Sequence, residues 1–494
     1  MYHELKTLAY RLPKRVAYHE SGGSFQLILE FPLKAVFLHL SWKPVCELLS
    51  GGDFVPLEKI VPLVNGSDPD RIELFLNDLL RKGFMEQEGA SFSSEYPFVS
   101  IIIPVRNRPL EIKACLDSLA QLVYPSKKLE IIVVDDASTD NTAQMVSGFP
   151  AHLLSLKENK QAPFCRNLGA KKATGSILAF LDSDCLADPM WLKELIPAFK
   201  DPALGAAGGL VESYFNEKPL DRYEQVKSSL NMGPRFRSSR EHDPFFYVPS
   251  CNLLIRKEVF FKLGGFREEL FVGEDVDFCW RMGDAGYPVE FRPVGRVYHK
   301  HRNKLIPFCL RRFDYGTSEP LLQRLHLQRR KEMVFPLGCS LFWSMAILTA
   351  VFAFPPLLAL CGIITLADTL NKLHKVKGRG IGVKFPALLV SVIRGYFAFF
   401  YHCSAFVSRY YLGWAILVSP LSLLASIIGV GMHILAGLVE YFIKRPRLNP
   451  FSFLFYFSLE QSSYQSGVWW ECIKQLSFNP VNPRVTLKTP HKGI

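Results

Sequence analysis

A chain of 494 residues exceeds what one ordinary core holds, so two or three domains are expected. An apolar fraction of 49% and a mean hydropathy of +0.11 argue against a purely soluble protein, and the formal charge of +12 suits an anionic partner such as nucleic acid, a phosphorylated substrate or a lipid surface. The eleven cysteines are scattered without a C-x-x-C pair, which reads as reduced thiols in a cytosol and speaks against a disulfide framework or a zinc site.

The N-terminal stretch MYHELKTLAYRLPK has no apolar signal core, so export by that route is not expected. Residues 1–94 form a first zone. SFQLILEF and AVFLHL read as short strands, and KPVCELLSG as a helix stopped by Gly51 and Gly52. DPDRIELFLNDLLRKGFMEQEG follows, with Ile72, Leu74, Phe75, Leu79 and Leu80 at helical spacing behind an aspartate cap. Strands, a short helical bundle and a C-terminal wing suggest a small winged-helix-like domain, and EGASFSSEYP reads as the linker leading out of it.

Residues 97–330 alternate strands and helices. FVSIIIPV and LEIIVVDDAS are the Ile- and Val-rich runs of strands buried on both faces, and RPLEIKACLDSLAQL between them has helical periodicity. Strand, helix, strand in that order implies a right-handed crossover and a parallel sheet, with ligands at the C-terminal strand ends. Asp135 and Asp136 close the second strand, where a carboxylate can accept from a base N–H or a ribose hydroxyl. In NKQAPFCRNLGAKKATG, Arg166 and Asn167 are expected to open a helix and to offer donors to phosphate or base. ILAFLDSDCLADP then runs five apolar residues straight into Asp182-Ser183-Asp184. Neither G-x-x-x-x-G-K nor G-x-G-x-x-G occurs in these segments, so no phosphate loop or dinucleotide turn is indicated.

Residues 334–443 form an apolar zone. VFPLGCSLFWSMAILTAVFAFPPLLALCGIITLADTL carries no charge before Asp368, and Pro355-Pro356 near its middle suggests two passes or a kinked hairpin. The basic KLHKVKGRGIGVK follows. In FPALLVSVIRGYFAFFYHCSAFVSRYY, Arg394, His402 and Arg409 recur seven or eight residues apart, as one polar stripe of an interfacial or spanning helix. LGWAILVSPLSLLASIIGVGMHILAGL is the cleanest spanning candidate, and KRPR after it is basic again. Basic segments at both ends favour an even number of crossings between them and a cytoplasmic side for both. Residues 444–494 read as a cytoplasmic tail.

The ordered set VSIIIPVRNR, VVDDASTD, RNLGA, FLDSD, LGGF, GEDVDFCWRMGDAG and VYHKH resembles the family 2 inverting glycosyltransferases of GT-A fold over about residues 97–320. The resemblance implies an α/β, Rossmann-like mixed sheet, a UDP-sugar donor, and a divalent cation, Mg²⁺ or Mn²⁺, held by hard oxygen ligands. It assigns Pro104, Arg106, Asp135, Asp136, Arg166, Asn167 and Asp182 to the nucleotide sugar. The metal falls to Asp184 and His299, with His301 the lesser alternative. Asp275 is the expected base that removes the acceptor proton, assisted by Glu274. Asn252, Asp277 and Arg281 are the expected acceptor contacts, although for Arg281 an intrahelical ion pair competes. A Q-x-x-R-W motif, which processive members carry, is absent: LLQRLHLQRRK stands there, with no Trp before Trp343.

Residues 1–92 resemble the small peptide-chaperone domain of pyrroloquinoline-quinone biosynthesis. Joined to a family 2 transferase and membrane helices, this resembles the glycosyltransferases of mycofactocin systems. That implies transfer of β-linked glucose from UDP-glucose to a peptide-derived small-molecule acceptor, at the inner membrane with the catalytic domain cytoplasmic. Membrane lipid is then a partner and nucleic acid is not expected. Assembly of a lipid-linked or exopolysaccharide unit is the alternative, and a non-catalytic peptide-binding scaffold the third.

Overall fold

The computed structural model describes residues 8–487, apart from 22–23, 31–32, 65–67, 89–95, 242 and 379. Most of the EGASFSSEYP linker lies outside the described residues. In the N-terminal unit, strands Val16–Ser21, Ser24–Glu30 and Leu33–Leu38 make an antiparallel meander. Period-two alternation turns Phe25, Leu27 and Leu29 to one face, against Val45 and Leu49 of helix Lys43–Leu49 and Ile72, Leu76 and Leu79 of helix Pro69–Arg81. Strand Glu86–Glu88 returns to pair with Ala9–Arg11. The first strand, VAYHES, is too polar to have stood out beside its apolar partner SFQLILE.

The central unit is built on eight strands: β1 (Val99–Val105), β2 (Leu129–Asp135), β3 (His152–Ser155), β4 (Ile177–Leu181), β5 (Ala206–Gly208), β6 (Arg237–Ser238), β7 (Asn252–Arg256) and β8 (Val289–Phe291). They lie in the order β6-β8-β5-β7-β4-β1-β2-β3. Strands β4, β1, β2 and β3 are mutually parallel, and β7 is antiparallel to β4, so the sheet is mixed. The order reverses between β1 and β4, as at the switch point where α/β sheets bind ligands. Helix α1 (Pro109–Leu119) makes the expected crossover from β1 to β2. Strand β4 is central and wholly buried, which explains its five apolar residues. Helix α2 (Gln161–Lys172) starts at Gln161, so Arg166 and Asn167 lie in its interior instead of opening it. Helices α3 (Glu274–Asp284) and α4 (Leu305–Leu325) complete the parts that line the site.

The C-terminal layer comprises α5 (Leu337–Phe352), α6 (Leu357–Gly378), α7 (Phe385–Tyr410), α8 (Leu423–Lys444) and α9 (Pro450–Gln475). The break between α5 and α6 falls at the Pro355-Pro356 step. Helices α6, α7 and α8 are long and apolar enough to cross a membrane, and α5 is a shorter apolar helix. Two of the three, α7 and α8, lie between the basic segments. The stretch expected as one span is two helices, Leu412–Leu417 and α8, separated by a turn containing Ser419-Pro420. The expected stripe also divides: Arg394 and His402 are exposed, whereas Arg409 lines an internal cavity.

Residues 450–475, read from sequence as part of a tail, are α9, which packs along α4. Two glycines set that crossing. A Cβ on Gly467 would stand 2.1 Å from the Phe313 carbonyl oxygen, and one on Gly316 2.2 Å from the Tyr464 carbonyl oxygen. Both obstacles are backbone, so the helices must separate to admit any side chain. Gly467→Val is expected to destabilise the protein by about 1–3 kcal/mol, read as a lowered Tm of the detergent-solubilised protein. An unchanged Tm would mean that the close crossing contributes nothing.

Candidate active site

Three strand ends and one helix start converge on a cavity of about 820 Å³. Pro104 and Arg106 come from the end of β1, Asp136 follows β2, and Asp182 and Asp184 follow β4. Past β4 the chain turns, with the Cys185 N–H on the Asp182 carbonyl at 3.0 Å, and enters strand Cys185–Ala187. That strand pairs antiparallel with Val297–His299, in a register that sets Cys185 opposite His299. The bridge is what joins D-x-D to V-Y-H-K-H, 115 residues downstream of Asp184 (299 − 184).

Asp184 is buried; Arg108 donates to its Oδ2 at 2.5 Å and Arg302 at 3.4 Å, and His299 Nε2 stands 3.5 Å from its Oδ1 without a hydrogen bond. Burial works to raise its pKa, but His299 when protonated, and the permanent charges of Arg108 and Arg302, outweigh it and hold the carboxyl below its usual range. His299 itself is pushed down, first by burial. The two arginines already supply the cations, so a neutral imidazole beside an ionised Asp184 is the state that fits. Its Nδ1 meets Nδ1 of His301 at 3.1 Å, which leaves Nε2 facing Asp184. His301 is buried and its pKa is lowered to about 3, by burial and then by His299. It orients His299 and stands 3.8 Å from Glu224.

Asp184 Oδ1 is buried without a hydrogen-bond partner among the described residues. Ligand atoms of Asp184, Cys185 and His299 lie within 4.8 Å of one another. An orphaned carboxylate oxygen next to a neutral imidazole is a donor pair that a divalent cation can take. The residues therefore fit the implied metal.

Asp275 and Glu274 begin α3, where the helix N-terminus favours negative charge. Gly273 precedes them at φ +89°, and a Cβ there would meet Leu322 at 3.1 Å and Ser318 at 3.3 Å on α4. Asp275 accepts from the Ser250 N–H at 3.0 Å and the Val276 N–H at 2.8 Å. Burial raises its pKa against those two N–H groups and Arg166. Glu274 is pushed up to about 7, by burial and then by the charge on Asp275. Arg166 donates to Asp182 at 2.6 Å and to Glu274 at 2.7 Å. This buried guanidinium ties the D-x-D turn to Glu274 at the start of α3.

Other expected site residues stand behind the wall. Asp136 lines the cavity but also accepts from the Lys160 and Gln161 N–H groups at 2.6 and 3.0 Å, capping α2. Asp135 accepts from Ser138 N–H at 3.1 Å and Asn167 holds the Phe266 backbone, both outside the lining. Asn252 accepts from Trp191 Nε1 at 2.7 Å and donates to the Leu210 and Gly295 carbonyls. Asp277 is fully buried between Arg281 at 2.8 Å and His326 at 2.8 Å, and Arg281 also donates to the Leu263 and Gly265 carbonyls. Asn252, Asp277 and Arg281 are thus hydrogen-bonded within the fold, and none of them lines the cavity. Arg108 and Arg302, the ion partners of Asp184, were not singled out, although Arg108 ends VSIIIPVRNR and Arg302 directly follows VYHKH.

The charge on Asp275 pushes Glu274 up, whereas burial is the main cause that raises Asp275. If Asp275 is the expected base, kcat/KM on the acid side rises with pH through a pKa above the usual aspartate value. Glu274→Gln is expected to leave that acid limb in place, because Glu274 is still protonated where Asp275 ionises. A limb that moves to lower pH would mean that Glu274 is already charged there.

Residues 100–264 match the family described as Glycosyl transferase family 2. The pre-mycofactocin glycosyltransferase of Mycobacterium tuberculosis is 27% identical over 399 residues, covering 78% of this chain and 82% of its own. Glycosyltransferase AglE of Haloferax volcanii is 33% identical over 225 residues, which are 42% of this chain and 72% of AglE. Among solved structures, a mannosyltransferase of Pyrobaculum calidifontis in complex with GDP-Man and Mn²⁺ is 17% identical, with a TM-score of 0.46 over 78% of this chain and 90% of that one.

Proposed function

Because the chain belongs to glycosyl transferase family 2, we propose that it is a membrane-bound, metal-assisted, inverting transferase that moves glucose from UDP-glucose to a peptide-derived redox-cofactor precursor, pre-mycofactocin. The observation that carries the catalytic part is the Arg166 bridge, which gathers the D-x-D carboxylate and the α3 carboxylates at one cavity. The acceptor assignment leans on the likeness to the mycobacterial relative.

In this reading Pro104, Arg106 and Asp136 receive the nucleoside and Asp182 the ribose. Asp184 and His299 would hold the cation, which when bound supplies Lewis-acid stabilisation to the departing diphosphate. Asp275 takes the proton from the acceptor hydroxyl, and Glu274 beside it holds Arg166 in place. Arg302 and Arg108 keep Asp184 ionised. The N-terminal unit would present the acceptor. It rests against the loop between α6 and α7 through Gln26, whose Nε2 donates to the Gly380 carbonyl at 3.1 Å. The basic segments flanking α7 and α8 support a cytoplasmic catalytic side at the inner membrane.

The test is UDP release from UDP-glucose with pre-mycofactocin, with Mn²⁺ and with chelator. Release is expected only with metal. Asp184→Asn is expected to cost about a hundredfold or more, several kcal/mol of transition-state stabilisation. Equal release in chelator would sink the metal assignment. One observation favours a second reading, a lipid-linked acceptor: the cavity reaches Arg409 and Tyr410 at the end of α7, a candidate membrane span. Release with a polyprenyl phosphate and none with pre-mycofactocin would select it.

A further inference from the structure

The cavity does not stop at the base. Beyond Glu274 and Asp275 it continues between α4, α7 and α9. The donor residues stand at the sheet end, and an inverting displacement needs its acceptor on the side of the base, away from the leaving group. The far half is thus the place where an acceptor must lie, a step that rests on the transferase reading.

Its charges are unevenly matched. Arg312 is held by Glu224 at 2.7 Å and by Glu460 at 3.6 Å. Glu319 is held by Lys331, by the Tyr410 hydroxyl at 3.0 Å and by the Tyr464 hydroxyl at 2.5 Å. Two guanidinium groups remain. Arg311 lies over the Tyr315 ring at 4.7 Å, and Arg409 over the Tyr464 ring at 3.6 Å. Both line the cavity, and neither has a carboxylate within ion-pair distance among the described residues. Arg311 also hydrogen-bonds the Tyr315 hydroxyl and Arg409 the Tyr410 hydroxyl, so neutral groups fix the orientation of each guanidinium beforehand, and the N–H groups left over can meet a planar or tetrahedral anion.

We propose that the far half of the cavity is an acceptor subsite for an anionic group, a phosphate or a carboxylate, gripped by Arg311 and Arg409. The acceptor hydroxyl is then presented to Asp275 while its charge is anchored toward α7. A phosphate on a lipid and a carboxylate on a soluble molecule share this chemistry, and the two are separable by experiment.

The test measures binding to the full-length protein in a nonionic detergent by calorimetry. Dodecyl phosphate is compared with dodecanol, and 4-hydroxyphenylacetate with its neutral alcohol, 2-(4-hydroxyphenyl)ethanol. UDP with Mn²⁺ is titrated separately. At least one anionic probe is expected to bind about tenfold or more tightly than its neutral counterpart. That preference should vanish in R311Q/R409Q, with UDP affinity kept within about twofold, and return in part in R311K/R409K. Preference for dodecyl phosphate supports a lipid headgroup, and preference for 4-hydroxyphenylacetate a soluble carboxylate. Equal binding of charged and neutral probes, or a preference that survives in R311Q/R409Q, overturns the proposal. Anion preference in a protein that binds no UDP would support the subsite and contradict the donor assignment, so the two failures are distinct.

Discussion

Asp275→Asn is expected to lower kcat by ~10²–10⁴-fold, the range that a positioned general base contributes. The substitution keeps the shape of the side chain. One amide oxygen can still accept from Ser250 or Val276, but the amide NH₂ then faces the other N–H. Leaving that N–H without an acceptor costs about 1–3 kcal/mol, and removing a buried charge whose ionisation the site already disfavours offsets part of it. Tm and UDP affinity should therefore stay close to wild type while turnover collapses. Stopped turnover together with a large fall in Tm would instead mark Asp275 as a structural cap of α3.

The second large effect concerns Arg166, which is buried and divided between Asp182 and Glu274. Removing one partner of a buried ion pair costs about 3–5 kcal/mol, because the remaining charge is left uncompensated. Arg166→Met should lower Tm markedly and drive Glu274 to take up a proton, since its pKa of about 7 would climb further without the guanidinium. Arg166→Met with Glu274→Gln should recover much of the lost Tm and little of the activity, because Asp182 stays untethered. Arg166→Lys should not replace the fork, as an ammonium cannot serve two carboxylates with the same planar geometry. If Arg166→Met leaves both Tm and kcat unchanged, the bridge has no role.

How far the sequence could be read follows from what buries each segment. Strands β1, β2 and β4 were legible because a strand covered on both faces is a run of apolar residues. The pairing of D-x-D with His299 was carried by resemblance alone. Its cause is the Cys185–His299 register, which no local pattern announces. Asn252, Asp277 and Arg281 stand outside the cavity lining for a reason that sequence does not carry. They stand beside catalytic motifs, yet backbone carbonyls, Trp191 and His326 consume their hydrogen bonds.

Helix α9 was missed because it is covered on several faces. Its buried set includes Glu460, Gln461, Gln465 and Glu471, so its polar residues follow no exposed stripe and 450–475 reads as a tail. Arg409 shows the same effect on α7. Spacing placed it on one stripe with Arg394 and His402, whereas the packing of α4 and α9 draws it into the cavity.

The measurement that bears most directly on a single displacement with Asp275 as base is the anomeric configuration of the product. Full-length protein, Mn²⁺, UDP-α-glucose and pre-mycofactocin would be combined, and the glucoside examined by the proton coupling at its anomeric carbon. A β-linked product that disappears with Asp275→Asn is the expected result. An α-linked product would contradict the account, because retention cannot come from one displacement assisted by a base opposite the leaving group.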